Sequence, residues 1–138
     1  MSDIENAMLM SAQGMRVQGT RIKVISENVA NADTAANLPG ETPYTRQQVT
    51  FKNILDRELG IRLVQIGKIT KDTSVAYPTR LMPDHPGADE NGIVQLSNVN
   101  PLIEMVDMRE AQRSYEANLG MVEQSRSMLA RTVDMLRN

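Results

Sequence analysis

The single histidine of the chain, His85, lies in the segment PDHPGADEN beside Asp84, Asp89, Glu90 and Asn91. Those nitrogen and oxygen donors are of the type that could hold a hard cation. The spacing does not follow the twelve-position calcium loop, and a lone histidine cannot form an HxxH or HExxH pair. The segment therefore reads as a solvated, turn-rich loop, and no metal or other cofactor is expected. Glu104 and Asp107 stand three residues apart, as a pair of acid–base carboxylates would on one helix face. Acidic residues in the opening turns also suit the helix dipole, as Arg131 and Arg137 suit its end. The chain has no cysteine, no GxSxG and no phosphate-binding glycine loop, so it lacks the usual marks of nucleophilic or nucleotide chemistry. Arg16, Arg21 and Lys23 are too few for a nucleic-acid or phosphate surface. The expectation is a protein without catalytic residues, small-molecule substrate or nucleic-acid partner.

Composition agrees with a role in contacts. The 138 residues suffice for one domain, which as a compact monomer would bury roughly two thirds of its unfolded surface. Tryptophan is absent, and Phe51, Tyr44, Tyr77 and Tyr115 are the only aromatics. Ten methionines partly replace them, and methionine suits adaptable helix faces that meet partners. Net charge is −2 with the signs interspersed, which calls for neither nucleic acid nor anionic lipid. The N-terminus lacks the basic and apolar regions of a cleavable secretory signal, and no apolar run is long enough to span a bilayer. Work outside the cytoplasm would need an export route independent of such a signal.

Three segments must position whatever the chain does. Residues 1–32 read as an N-terminal helix. Ser2 and Glu5 match a capping box, Met8, Met15, Ile22 and Val29 recur every seven residues, and Ile4, Ser11, Gln18 and Ile25 recur beside them. Gly14 and Gly19 each cost about 1 kcal/mol relative to alanine, and Ser11 and Gln18 stand where a strong zipper carries leucine. This helix looks dependent on contacts, and Asn31, Asp33, Asn37, Pro39 and Gly40 end it. Residues 33–98 form a small β-rich and loop region, with strand candidates at 44–51, 61–70 and 92–96 and an extended surface loop at 77–91. Residues 99–138 hold a second helix, opened by Asn100 and Pro101 and running to Arg137, about 37 residues.

The second helix carries the ladder Met108, Tyr115, Val122, Leu129 and Leu136. Ala111, Asn118, Ser125 and Thr132 flank it on one side, and Met121, Met128 and Met135 on the other. The fold class expected is mainly α with a small β-rich insertion, its two long terminal helices forming a coiled-coil-like packed pair. The polar flank makes a weak homodimer zipper, so a surface meeting several neighbours fits better. The alternative is an antiparallel hairpin in which each helix hides the other's stripe.

The stretch SAQGMRVQGTRIKVISENVANADT, residues 11–34, resembles the N-terminal signature of the rod and hook axial proteins of bacterial flagella. Its most characteristic piece is Asn28–Thr34. HPGADENGIVQLSNVNPLIEMVDMREAQRSYEANLGMVEQSRSML, residues 85–129, is similar to the proximal rod members of that class, as is PYTRQQVTF at 43–51. Residues 35–41 and 53–76 are the least characteristic.

The resemblance implies a structural subunit of the proximal rod of the flagellar basal body, where the rod crosses the periplasm. Such subunits leave through the flagellar type III export apparatus and transmit motor torque through contacts with their own copies and other rod proteins. Asn28, Asn31, Thr34, Glu116 and Asn118 are its signature positions here. The assembly interface is expected at Met8, Met15, Ile22, Ile25 and Val29 on the first helix and at Met108, Tyr115, Asn118, Val122, Leu129 and Leu136 on the second. Asn28 and Asn31 could cap the helix end or bond a neighbouring backbone. A buried Asn118 would favour one register over slipped ones.

Overall fold

A computed structural model describes residues 3–137. Two long helices bracket two small antiparallel sheets. The order is α1 (Asp3–Ala30), β1 (Gln47–Asp56), β2 (Ile61–Lys71), β3 (Thr79–Leu81), β4 (Ile93–Gln95) and α2 (Pro101–Arg137). Ser2, expected in the capping box, lies outside the described residues. α1 ends where Asn31 donates its Nδ2 back to the Glu27 carbonyl at 2.8 Å and Thr34 donates its hydroxyl to the Asn31 carbonyl at 2.7 Å. At the start of α2, Asn100 Oδ1 accepts the Leu102 amide at 3.1 Å and Pro101 occupies the first turn, the N-terminal chemistry its sequence requires.

The helices pack on each other as an antiparallel pair, without hiding each other's stripes as the hairpin alternative required. The chain divides into two compact units, each drawing on both helices. In the first, described over residues 3–22, 50–68 and 109–137, Gly14 lies against Asn118 while Arg21 Nη2 meets Glu110 Oε2 at 3.3 Å. The α1 number rises as the α2 number falls, which makes the pair antiparallel. Residues 130–137 at the end of α2 are all exposed.

The buried row of this pair differs from the expected one. Ser11, Gly14 and Val17 are buried on α1, and Ala111 and Ser125 on α2, while Met108, Tyr115, Val122 and Leu129 are only half-buried. The distance between packed helices depends on the side chains at the contact, and small residues on both sides let the backbones approach. Ser11, Gly14 and Ser125, which look like flaws in a leucine zipper, therefore lie in the inner row, and the larger apolar groups border it.

β1 and β2 form a two-stranded ribbon, necessarily antiparallel because a turn of only four residues joins them. Asp56 Oδ1 holds that turn by accepting the amides of Glu58 at 3.0 Å and Leu59 at 3.1 Å. Leu63 of β2 is buried, whereas residues 50–55 of β1 are all exposed.

In the second unit, Lys23–Val49 and Ile69–Met108, β3 pairs with β4 around the fully buried Val94. This corrects the expectation of an uninterrupted loop at 77–91, since Thr79–Leu81 is a strand whose three residues carry no alternation long enough to announce it. The chain leaving α1 runs along β4, where Ala35 bridges Leu96 and the Ala36 amide donates to the Gln95 carbonyl at 3.1 Å. A Cβ on Gly87 would collide with the Ala36 carbonyl oxygen, so that approach needs glycine.

Candidate functional site

The end of α1, the start of β1, the end of β2 and the start of α2 meet in the second unit around Asn28, Arg46, Asn98 and Glu104. Asn28 is buried with every hydrogen-bonding position of its carboxamide in use. Its Nδ2 donates to the Gln47 carbonyl at 2.8 Å and to Glu104 Oε2 at 3.1 Å, while its Oδ1 accepts the Tyr44 hydroxyl and the Gln47 amide, each at 2.9 Å. Of the two roles the sequence left open for this asparagine, binding a neighbouring backbone is the one observed. Asn31, one turn on, instead turns back to its own helix end.

Glu104 has 0% of its side chain exposed. Its Oε1 accepts Arg46 Nε, so the buried carboxylate is both paired and hydrogen-bonded. The rest of the Arg46 guanidinium reaches Asp72 at 3.4 Å and Asp107 at 3.3 Å. Burial works against the Arg46 charge, but the bond to Glu104 and the fields of Glu104, Asp107 and Asp72 outweigh it and raise its pKa. The Asp72 carboxyl is held below its ordinary range, first by hydrogen bonds from the Ser74 hydroxyl and amide and then by Arg46. Burial, with Glu27 and Glu104 nearby, pushes the Tyr44 phenol up. Asn98 ties in the backbone: its Oδ1 accepts the Arg46 amide at 2.7 Å, and its Nδ2 donates to the carbonyls of Asp72 at 2.9 Å and Val75 at 3.1 Å.

This arrangement fastens four chain segments together. Its carboxylates are occupied by an arginine that stays protonated, and the group facing Glu104 from the other side is a neutral amide, so no proton is poised for transfer. Glu104 is thus a buried anchor as well as an acidic residue near a helix start, a role invisible in sequence because its partners lie 58 and 76 positions away. The pairing of Arg46 with Glu104 had no local signal. The run containing Asn28 had one, in the resemblance it carries.

The expected interface positions separate by burial. Ile25 is buried, Met8, Met15, Ile22, Met108, Tyr115, Asn118, Val122 and Leu129 are half-buried, and Val29 and Leu136 are exposed, Leu136 at 84%. Asn118 donates its Nδ2 to the Ser114 carbonyl at 3.0 Å on its own helix while lying against Gly14. Thr34 closes the α1 terminus, and Glu116 is exposed. His85 Nδ1 accepts the Gly87 amide at 3.0 Å inside its turn. Among the described residues no three His, Cys, Asp or Glu side chains are grouped to hold a metal ion, and no helix is long and apolar enough to cross a membrane.

Comparison with known proteins accounts for a site that fastens and does not react. Residues 90–135 match the family described as flagellar basal body rod FlgEFG protein C-terminal. Over 137 residues the chain is 42% identical to the flagellar basal-body rod protein FlgC of Agrobacterium fabrum, covering 99% of this chain and 98% of that one. It is 35% identical to the same-named protein of Borreliella burgdorferi, with 93% and 94% covered. For that of Bacillus subtilis the identity is 32%, with 94% and 96% covered.

Proposed function

The chain belongs to the flagellar basal-body rod protein FlgC family and is a structural, non-catalytic subunit of the flagellar rod, and on that premise we propose that it builds the proximal, periplasm-crossing part. There it passes motor torque to copies of itself and to other rod proteins through helix contacts, after delivery by the flagellar type III export apparatus. The observation that supports an assembly role is the apolar surface left open on α2, where Leu102, Ile103, Met105 and Val106 are exposed near its start and Met128, Val133, Met135 and Leu136 near its end. Clusters of exposed apolar side chains of this kind mark interaction sites in soluble proteins. The inner row of the helix pair is made mostly of small residues, which leaves the bordering methionines, Tyr115, Val122 and Leu129 to complete their burial against neighbours. On α2 the seam residues 104, 108, 111, 115, 118, 122, 125 and 129 alternate in steps of four and three, the spacing that supports coiled-coil-like packing.

Leu136 gives the cleanest test because it lies on the ladder yet is 84% exposed in the subunit. Leu136→Asp should leave the circular dichroism and melting of the purified chain unchanged, permit export and abolish stable rods, whereas Gln124→Asp off the ladder should swim. Normal motility of Leu136→Asp would remove this face from the assembly surface.

A further inference from the structure

β1 is an edge strand whose one cationic guard is Lys52. It pairs only with β2 among the described residues, and residues 50–55 are exposed, including Phe51, Ile54 and Leu55. Natural edges are blunted by proline, bulges, covering segments or charged side chains, lysine above all, because their unpaired backbone groups template another strand. QQVTFKNILD contains no proline or glycine, and Lys52 is its only cation. At the first residue of the strand the edge already holds an amide, since the Asn28 carboxamide bonds both the N–H and the C=O of Gln47 as a neighbouring peptide would. Beyond Gln47 no comparable group occupies it.

We propose that the outer edge of β1 pairs, antiparallel and two-fold, with the same edge of a second copy of this chain, centred on Ile54. Charge favours that register over one centred on Lys52. With Ile54 opposite Ile54, each Lys52 faces the partner's Asp56, giving two opposite-charge pairs around an apolar centre, and Phe51 faces the partner's Arg57. Shifting the centre to Lys52 would set like charges opposite each other, which is unfavourable. Among the described residues no ion pair engages Lys52, and Asp56 uses one oxygen, Oδ1, for its turn. A two-fold contact closes on itself and does not propagate along a polar rod, so the pairing belongs to the free subunit and is independent of the rod assignment.

The absence of native cysteine makes the test direct. The purified full-length chain should show a concentration-dependent dimer by sedimentation equilibrium. Ile54→Cys should oxidise to a covalent dimer, while Lys52→Cys alone and Asp56→Cys alone should not, although their mixture should cross-link. Lys52→Asp should weaken the dimer about tenfold by setting carboxylates opposite each other, and adding Asp56→Asn, which keeps the turn-holding oxygen, should recover the part of the loss that comes from that repulsion. A chain monomeric at all concentrations, a dimer trapped through Leu136→Cys but not Ile54→Cys, or no recovery in the double variant would overturn the proposal.

Discussion

Glu104 and Arg46 show how one buried charge determines what its neighbours must be. A carboxylate with no exposed side-chain surface is tolerated only while paired and hydrogen-bonded, and here Arg46 and Asn28 supply both conditions. Arg46→Met should therefore destabilise the chain by about 3–5 kcal/mol in urea unfolding, because it strands Glu104. Arg46→Met combined with Glu104→Met should cost less than the single change, since removing both charges also removes the desolvation penalty. A double variant as damaged as the sum of its singles would contradict this account of the cluster. Asp72 adds a pH dependence. Its carboxyl is held low in the folded chain, so its stabilising effect is present above the unfolded carboxyl value of about 3.9 and is lost as pH falls through the lower folded value. Asp72→Asn should flatten that acid limb of a stability–pH curve. At the other extreme, the raised Tyr44 pKa favours the folded state's neutral phenol, so stability should fall as pH climbs past about 10 and Tyr44→Phe should remove that alkaline component.

The helix pair joins such residues into elements, and its glycines differ in what they do. A Cβ on Gly14 would meet Asn118 Nδ2 at 2.7 Å, whereas one on Gly19 would meet nothing within 4 Å. Gly19→Ala should therefore raise stability by about 0.5–1 kcal/mol, the ordinary helical gain. Gly14→Ala should show no such gain until Asn118→Ala makes room. Equal gains from the two single changes in chemical denaturation would deny the close approach at Gly14. The extent of both helices was legible in local chemistry, through Asn100 and Pro101 at one start and the Asn31–Gly40 cluster after one end. Their inner face was not, because a heptad pattern read for its largest apolar groups points to Met108, Tyr115, Val122 and Leu129. Close antiparallel packing selects the smallest residues in place of these. β3 was missed for a related reason, since three residues between proline-rich turns become a strand only through pairing with β4.

At the scale of the whole molecule, the helices occupy the two ends of the chain and the cluster around Glu104 ties the intervening segments to both. The resemblance carried by residues 11–34 and 85–129 made the function legible. The physics of the site was not, because Asn28, Arg46 and Glu104 come together only after folding. A rod subunit needs a firmly fastened chain and surfaces that remain open to neighbours. The cluster supplies the first, and the exposed apolar groups of α2 are suited to the second. The most direct measurement is recovery of the chain from detergent-extracted, salt-washed basal bodies of cells in which it is the only copy of its kind. The chain should remain in the rod after washing at a fixed ratio to the other rod proteins. Recovery of the intact chain solely in the cytoplasmic fraction, with rods built in its absence, would contradict the assignment.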